Sequence, residues 1–500
     1  MSRTVQSLRR SAQLSADAAA KADELTKQAT AALTVGQTAD ARRKFAAAQA
    51  VITGQPWTKK EEYLWSLVLR PRPIVMDPAV SQSIEVAQLY PVEYKPAHYL
   101  KLAFSLVTAE TEPRQVRSLG TVDLPARDMV AEPLLVPLDL TGTVDGTYRL
   151  AAQVADGSAT LATLQHTIAI ADGIQSRRAE VEKRLARISG HESAKATIRW
   201  PFDMARVVNH GIRKLESGDF GLPESGGQIF DFAKELRESE QVLKAVESGK
   251  DPLVRAKGDH ERHYWFADAG EIMPYRVYLP STWNGKKQLP MLFVLHGNTR
   301  DHNFYFDRDG GLLAKLAEKT GFLVATVMGY RPSAGYNASA IGSMLPSPPA
   351  SSARGGGFVR TAAMQRETEL SEKDAMTAFD LIVKEFNPDP SRIYLFGHSA
   401  GGTGGWYIGS KYADRFAGLA LSAFVTQPAT VPFDRLKGKP ILVIVGSKDS
   451  PRTVETARTM AKVVEEKGFS TRFLEIPEAT HDTIVGLALP TVFEFFGAKR

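Results

Sequence analysis

The chain of 500 residues contains no cysteine. Disulfide bonds, thiolate nucleophiles and cysteine-ligated zinc or iron–sulfur sites are therefore excluded. The sequence also has no run of 18 or more apolar residues, so no segment is predicted to span a bilayer. The first residues lack the apolar stretch of about 7 to 15 residues that a signal peptide needs. We therefore expect a cytoplasmic protein from the chain as given, or an exported one if a leader has been removed.

The basic excess is confined to one end of the chain. The formal net charge is +6, and residues 1–60 hold ten Lys or Arg against four Asp or Glu. No aromatic residue interleaves with these charges before Phe45, which favours a solvated helix face over a nucleic-acid site. The share of hydrophobic residues, 43%, with 24% charged residues is typical of a folded globular protein.

The length suggests about three domains, and the composition changes twice before the midpoint. Residues 1–70 are rich in alanine and predict a helical segment, with helices over Thr4–Leu33, Thr38–Ile52 and Trp57–Leu69. Residues 173–255 predict a helical linker. Its clearest helices are Arg177–Leu185 and Phe230–Val246.

Residues 72–172 alternate between apolar and polar side chains, as β-strands do. Several short strands within about 100 residues, separated by turns such as Asp145-Gly146, favour an immunoglobulin-like β-sandwich. Such a domain is expected to be a spacer, with carbohydrate binding as the alternative. The predicted strands are Ser83–Leu89, Tyr99–Val107, Leu134–Leu138, Tyr148–Val154 and Leu161–Ile170.

Residues 256–500 alternate between strand and helix patterns, which predicts an α/β domain with a mostly parallel sheet and helices on both faces. The segment Tyr330–Leu370 interrupts this alternation with prolines and glycines, and we expect a mobile lid that shapes a pocket. The predicted strands are His263–Ala267, Tyr275–Leu279, Met291–Leu295, Phe322–Val327, Ile393–Phe396, Ile441–Val445 and Thr471–Ile476, and the main helices are Leu312–Lys319 and Asp374–Glu385.

The most informative motif is G-x-S-x-G at residues 397–401. It follows an apolar strand and precedes a stretch that can begin a helix, which is the setting of a strained turn that exposes a nucleophilic serine. The two glycines let the chain pack closely around Ser399. A glycine-rich turn without chemistry is the alternative, and the presence of partner residues decides between them.

A serine hydroxyl needs a base and a carboxylate that orients the base, and on this kind of sheet they follow in the order Ser, Asp, His. Asp449 follows the strand Ile441–Val445, and His481 follows the strand Thr471–Ile476. Asp482 and Glu478 are rival acids. Adjacent loop residues rarely point at each other, however, so Asp449 is preferred to Asp482.

A tetrahedral oxyanion needs preorganised N–H donors. One is expected from the backbone of Ala400, directly after Ser399. The other is expected from the loop after Met291–Leu295, from the backbone of Asn298, with Thr299 as the alternative.

At these residues the sequence resembles the α/β-hydrolases, and among them the feruloyl and acetylxylan esterases and polyhydroxybutyrate depolymerases. The resemblance extends from about residue 275 to the C-terminus and implies that Ser399, Asp449 and His481 form a catalytic triad. Many secreted members have a cysteine where this chain has Asn298, so the substrate class stays open. The matching segments are Tyr275–Pro280, Leu295–Gly297, Asn387–Tyr394, Gly397–Gly402 and Asp414–Phe416.

These observations predict a serine carboxylic ester hydrolase that acts on a small or polymer-linked ester. It is expected to need no metal and no organic cofactor, and to bind neither nucleic acid nor membrane. Tyr330, Tyr336 and Trp406 are candidate walls of the substrate pocket. A serine peptidase and a polysaccharide-binding or scaffold protein with an inactive hydrolase domain are the alternatives. The oligomeric state stays open.

Overall fold

A computed structural model of the protein describes residues 12–96, 98–110, 114–213, 230–344 and 361–497, together with Val5, Leu8, Arg9 and Glu112. The chain divides into two compact units. One comprises Met1–Gln175 with Asp231–Ala233, and the other comprises Ser176–Phe230 with Lys234–Arg500. The centre of the predicted lid, residues 345–360, lies outside the described residues.

From Ala12 onward, the described part of the first unit starts with the helices α1 (Ala16–Thr34), α2 (Thr38–Ile52) and α3 (Lys59–Ser66). Helices α1 and α2 pack through small side chains and Phe45. The third predicted helix is too long at its C-terminal end. Residues Leu67–Pro71 form strand β1 instead, because alternate side chains there are buried.

Two sheets follow in this unit, of three strands in the order β1-β3-β6 and of five in the order β2-β8-β7-β4-β5. Apolar side chains of both sheets, including Val86 and Val154, join one hydrophobic cluster. An immunoglobulin-like assignment of this unit stays a prediction. The strands are β2 (Val75–Met76), β3 (Gln82–Gln88), β4 (Leu100–Thr108), β5 (Gln115–Leu124), β6 (Leu134–Leu138), β7 (Gly146–Asp156) and β8 (Ala159–Ile170).

Helices α4 (Ile174–Leu185), α5 (Glu192–Asn209) and α6 (Phe232–Glu247) occupy the segment predicted as a linker. Helix α5 packs against the first strands of the following sheet. The carboxylate of Asp203 accepts the backbone N–H of Ile272 at 2.8 Å. Much of this helical segment is therefore part of the second compact unit.

The second unit contains an eight-stranded sheet in the order β16-β15-β14-β13-β11-β12-β10-β9. The six strands from β11 onward pair in parallel, and β9 and β10 form an antiparallel hairpin at one edge. The expected α/β fold with a mostly parallel sheet is confirmed. The strands are β9 (Gly258–Phe266), β10 (Glu271–Leu279), β11 (Met291–Leu295), β12 (Leu323–Val327), β13 (Ile393–His398), β14 (Gly418–Ser422), β15 (Ile441–Gly446) and β16 (Thr471–Ile476).

Both faces of this sheet are covered, because successive side chains of a strand point to opposite faces. On β11, Met291, Phe293 and Leu295 belong to one hydrophobic cluster, whereas Leu292 and Val294 belong to another. Beyond α4 to α6, the described helices of this unit are α7 (Phe304–Asp307), α8 (Leu312–Thr320), α9 (Ala362–Phe386), α10 (Ala400–Lys411), α11 (Pro451–Glu466) and α12 (Ile484–Gly497). Across the described part of the chain, no helix combines the length and apolar character needed to cross a membrane.

Candidate active site

Ser399 occupies a sharp turn between β13 and α10. Its backbone has φ 57° and ψ −118°, a conformation that residues with a side chain rarely adopt. The N–H of Ser399 donates to the carbonyl oxygen of Ser422 at 2.8 Å, which ties the turn to the neighbouring strand. The side chain is partly accessible. The turn therefore presents the hydroxyl at the carboxyl edge of the sheet.

The two glycines of the motif are required because there is no room for a side chain at either position. A Cβ on Gly397 would overlap the carbonyl oxygen of Gly401, and a Cβ on Gly401 would overlap that of Leu295. These contacts place the start of α10 directly against β11 and β13. Residues with larger side chains would push the helix away from the sheet.

Asp449 and His481 lie in two neighbouring loops that are hydrogen-bonded to each other. The N–H of Lys448 donates to the carbonyl oxygen of Ala479 at 2.9 Å, and the N–H of Glu478 donates to Ser447 Oγ at 2.9 Å. Strands β15 and β16 pair in parallel, so their carboxyl ends deliver both loops to the same edge. The spacing between acid and base is thereby fixed by backbone contacts.

Three side chains meet in a line of hydrogen bonds. His481 Nδ1 lies 2.7 Å from Asp449 Oδ2, and His481 Nε2 lies 2.9 Å from Ser399 Oγ. The Asp449 side chain is 3% exposed, whereas that of His481 is 40% exposed. A carboxylate accepts a hydrogen bond from Nδ1–H, so Nε2 is left to accept a hydrogen bond from the serine hydroxyl. The arrangement can activate the hydroxyl as a nucleophile.

The two rival acids lie elsewhere. Asp482 is 76% exposed and faces Arg300, and Glu478 is 82% exposed and faces Lys448. His481 turns its Nδ1 to Asp449.

The loop after β11 lies beside the serine. A Cβ on Gly297 would lie 3.3 Å from Ser399 Cβ, so the loop approaches the serine closely. The buried ring of His296 anchors the loop, with Nε2 2.8 Å from the carbonyl oxygen of Met328. The side chain of Asn298 is exposed.

Of the three backbone N–H groups considered for the oxyanion site, those of Asn298 and Ala400 are available and that of Thr299 is not. Within the described residues the N–H of Asn298 makes no hydrogen bond. Ala400 is the first residue of α10, where backbone N–H groups have no partner in the helix. The N–H of Thr299 already donates to the carbonyl oxygen of Pro332 at 3.0 Å, so the backbone of Thr299 has no donor left for an oxyanion.

The three aromatic residues that were predicted as walls of the substrate pocket differ in their burial. Trp406 is fully buried and packs against Phe424 and Phe433. Tyr336 is 1% exposed, and its hydroxyl accepts the backbone N–H of His296 at 3.1 Å. The structure does not bring these two to an open surface, because both fill the core beneath the site. Tyr330 is partly exposed, and its hydroxyl lies 3.3 Å from Glu271.

Sequence reasoning missed three basic side chains near the serine. The ring of His398 is buried and lies 4.9 Å from that of His481. Burial lowers the pKa of His398 well below its usual range, and the charges of His481, Arg308 and Arg300 lower it further. His398 therefore stays neutral. For Arg300, the sequence did contain a signal, because this residue lies two positions after Asn298, which was predicted to lie beside the serine.

The described residues contain no group of three or more His, Asp or Glu side chains arranged to hold a metal ion.

Comparison with known proteins gives one family match. Residues 266–467 match the Esterase family model. None of the curated proteins compared with the chain matches it. The C-terminal part of the chain thus contains an Esterase region, and together with the site geometry this supports a carboxylic ester hydrolase.

Several solved structures are similar to about half of the chain. FphF, a fluorophosphonate-binding serine hydrolase of Staphylococcus aureus, is 15% identical, with a TM-score of 0.37 over 48% of this chain and 98% of its own. An S-formylglutathione hydrolase from Agrobacterium tumefaciens is 15% identical, with a TM-score of 0.36 over 49% and 96%. The ferulic acid esterase AmCE1/Fae1A from Anaeromyces mucronatus is 14% identical, with a TM-score of 0.36 over 48% and 91%.

Proposed function

We propose that the protein is a serine-dependent carboxylic ester hydrolase that acts on acyl esters of carbohydrates or phenolic acids, of the feruloyl or acetyl type. The observation that carries the proposal is the pair of hydrogen bonds from His481, one to Ser399 Oγ and one to Asp449 Oδ2. The strained backbone of Ser399 supports it, because such strain is concentrated at functional sites.

The proposed reaction begins when Ser399 Oγ attacks the ester carbonyl while His481 Nε2 takes the hydroxyl proton. Asp449 holds the imidazole in the required tautomer and stabilises its protonated form. The backbone N–H groups of Ala400 and Asn298 stabilise the oxyanion. His481 then returns the proton to the leaving alcohol, and water, activated by the same histidine, releases the acid from Ser399.

The test is hydrolysis of p-nitrophenyl acetate by the purified protein and by Ser399→Ala. We expect the variant to lose at least about a thousandfold in kcat, since removal of the nucleophile leaves only binding and oxyanion stabilisation. Ser391→Ala is the matched control, because Ser391 lies in an exposed turn before β13. Equal turnover by Ser399→Ala and the unmodified protein would reject the proposal.

The triad geometry serves amides as well as esters, so a serine peptidase remains the alternative activity. Parallel kcat/KM measurements on methyl ferulate and on an aminoacyl p-nitroanilide decide between them. We expect the ester to be preferred by at least about a hundredfold. A preference for the amide would establish the peptidase, and loss of activity on every ester and amide tested would favour a binding protein with an inactive hydrolase domain.

A further inference from the structure

Two arginines flank the loop that carries His481. Arg300 follows the loop of Asn298, and Arg308 follows α7. Their guanidinium carbons lie 4.8 Å and 4.7 Å from the centre of the Phe304 ring. Arg308 Nη2 donates to the backbone carbonyl oxygen of Asp482 at 3.1 Å, and Arg300 Nη2 lies 3.6 Å from the carboxylate of Asp482.

The charge of Arg300 is poorly matched by the protein around it. Within the described residues its one ion-pair partner is Asp482, which is 76% exposed and therefore weakly attractive. The Nη1 atom of Arg300 is buried and has no hydrogen-bond partner in that part of the chain. An unsatisfied buried donor on a charged group is unfavourable, and a second acceptor would remove the deficit.

Other groups around Arg300 do not supply that acceptor. Asp309 is engaged by Arg308 at 2.8 Å, and Asp301 accepts the N–H of Asn303 at 3.0 Å. Burial lowers the pKa of the Arg300 guanidinium, and the neighbouring charge of Arg308 acts in the same direction. The positive charge of the two arginines also reaches His398, next to Ser399. The charges of Asp482 and Asp301 oppose this lowering of the Arg300 pKa, but within the described residues the Nη1 donor of Arg300 beside His481 still has no acceptor.

The position of the two arginines relative to His481 determines which portion of the ester they would contact. In the proposed hydrolysis, His481 returns its proton to the leaving alcohol, so the alcohol departs on the histidine side. Arg300 and Arg308 both contact Asp482, the next residue along the chain. A group bound by these arginines therefore belongs to the alcohol portion of the ester and not to its acyl portion.

We propose that Arg300, assisted by Arg308, binds a carboxylate on the alcohol portion of the substrate, so that the preferred substrates are acyl esters of hydroxy acids. The planar guanidinium suits a carboxylate, which can accept two parallel hydrogen bonds. The side chains of Arg300 and Arg308 are each 19% exposed, so part of each is open to an incoming carboxylate, whereas the buried Nη1 of Arg300 becomes reachable only if its guanidinium turns outward. This inference rests on the proposed ester hydrolysis and names its substrate class.

The test compares two matched pairs of esters. In the first pair, 3-acetoxybenzoate and methyl 3-acetoxybenzoate share the acyl group, and only the former has a free carboxylate on the alcohol portion. In the second pair, mono-(4-nitrophenyl) succinate and 4-nitrophenyl butyrate share the alcohol, and only the former has a carboxylate on the acyl portion. The quantity compared is the ratio of kcat/KM for the charged and the neutral ester within each pair.

In Arg300→Gln we expect the first ratio to fall about tenfold, since a charge-assisted hydrogen bond is lost. The second ratio is expected to stay within about twofold of that of the unmodified protein. Arg308→Gln should lower the first ratio by a smaller factor, and Arg300→Lys should retain part of it. Arg458→Gln, which removes an exposed charge on α11 paired with Glu475, is the control and should change neither ratio.

An unchanged first ratio in Arg300→Gln overturns the inference. This holds also where kcat/KM falls equally for both members of the pair, because Arg300 would then support the loop or the oxyanion. A fall confined to the second pair overturns the assignment to the alcohol portion. Failure of the proposed function is separate, since the unmodified protein would then not hydrolyse the neutral esters, or Ser399→Ala would hydrolyse them equally well.

Discussion

The two edges of the large sheet use left-handed backbone in different ways. At the amino edge, the turns that enter β12, β15 and β16 have positive φ at glycines, namely Gly321, Gly438 and Gly468. Asn387, before β13, also has positive φ at the amino edge. At the carboxyl edge, Gly329 after β12 has positive φ, but most of the residues with positive φ there carry side chains. These are Thr299 after β11, Tyr330 after β12, Ser399 after β13, Ala423 after β14 and Glu478 after β16.

This difference shows where the chain departs from local conformational preference. A left-handed residue other than glycine costs about 1 to 2 kcal/mol, and such strain persists only where the surroundings hold it. The amino edge follows the preferences of its residues, whereas the carboxyl edge does not. The proposed site lies at the carboxyl edge, so the strain marks the functional side of the sheet.

The largest expected difference is in kcat, between substitutions of one aspartate at each edge of the sheet. Asp449→Asn should lower kcat for p-nitrophenyl acetate about ten-thousandfold, because the amide no longer holds His481 in the required tautomer. Asp389→Asn, in the turn before β13, should leave kcat within about twofold and lower the unfolding free energy by less than about 1 kcal/mol, since the amide can still cap Ser391 but loses the ion pair with Arg392. Steady-state kinetics and chemical denaturation measure both, and similar effects of the two variants on kcat would break the comparison.

Glycine-to-alanine substitutions distinguish a glycine that is required by close packing from one that is required by its positive φ. Gly401→Ala should lower the unfolding free energy by more than about 3 kcal/mol, because the new Cβ overlaps the backbone of β11. Gly321→Ala should lower it by about 1 kcal/mol, since that Cβ meets no atom within 4 Å and only the backbone is strained. Urea denaturation of both variants is the measurement, and equal losses would contradict the account.

Asp374 gives a pH-dependent contrast at the carboxyl edge. It accepts the N–H of Tyr330 at 2.6 Å, and burial raises its pKa from 3.8 to about 6. The folded state therefore holds this proton more tightly than the unfolded state, so the group stabilises the fold below about pH 4 and loses that contribution as the pH rises through 6. The rise corresponds to about 3 kcal/mol.

Asp374→Asn cannot take up this proton. The unfolding free energy of the variant relative to the unmodified protein should therefore be more favourable at pH 8 than at pH 4.5, by about 2 kcal/mol. Denaturation at the two pH values measures the difference. A difference that does not change with pH would show that folding does not raise the pKa of Asp374, which contradicts this account.

The smallest expected effect is relief of strain. Ala423→Gly should raise the unfolding free energy by about 0.5 kcal/mol, because the gain at a φ of 51° exceeds the entropy that glycine loses on folding. Asn387→Gly, at the amino edge with a φ of 46°, should give a smaller change, since asparagine tolerates this conformation. A larger gain at Asn387 than at Ala423 would contradict the comparison.

Much of the large sheet could be predicted from the sequence, because buried parallel strands are short and almost continuously apolar. Strands β11 and β16 have the predicted bounds, and β13 extends the prediction by two residues. Strand β5 was missed. Most of its side chains are at least partly exposed, and its polar residues give no apolar alternation. Helix α9 begins at Ala362, twelve residues before the prediction, because the side chain of Thr361 caps its first turn by accepting the N–H of Met364.

The relation of Ser399, Asp449 and His481 could also be predicted, since the order of strand-end loops along a parallel sheet is readable from the chain. The surroundings of the site could not. Trp406 looked like a pocket wall, but it lies on the buried face of α10. Arg300 and Arg308 meet at Phe304 only through the folding of the loop after β11, and no spacing in the sequence encodes that contact.

The most direct test of the proposed chemistry is covalent labelling by a fluorophosphonate, followed by mass spectrometry of the intact protein and its peptides. We predict one adduct per chain on the peptide that contains Ser399, no adduct in Ser399→Ala, and much slower labelling in His481→Ala. An unmodified protein that stays unlabelled, or a Ser399→Ala variant labelled at the same rate, would contradict the account.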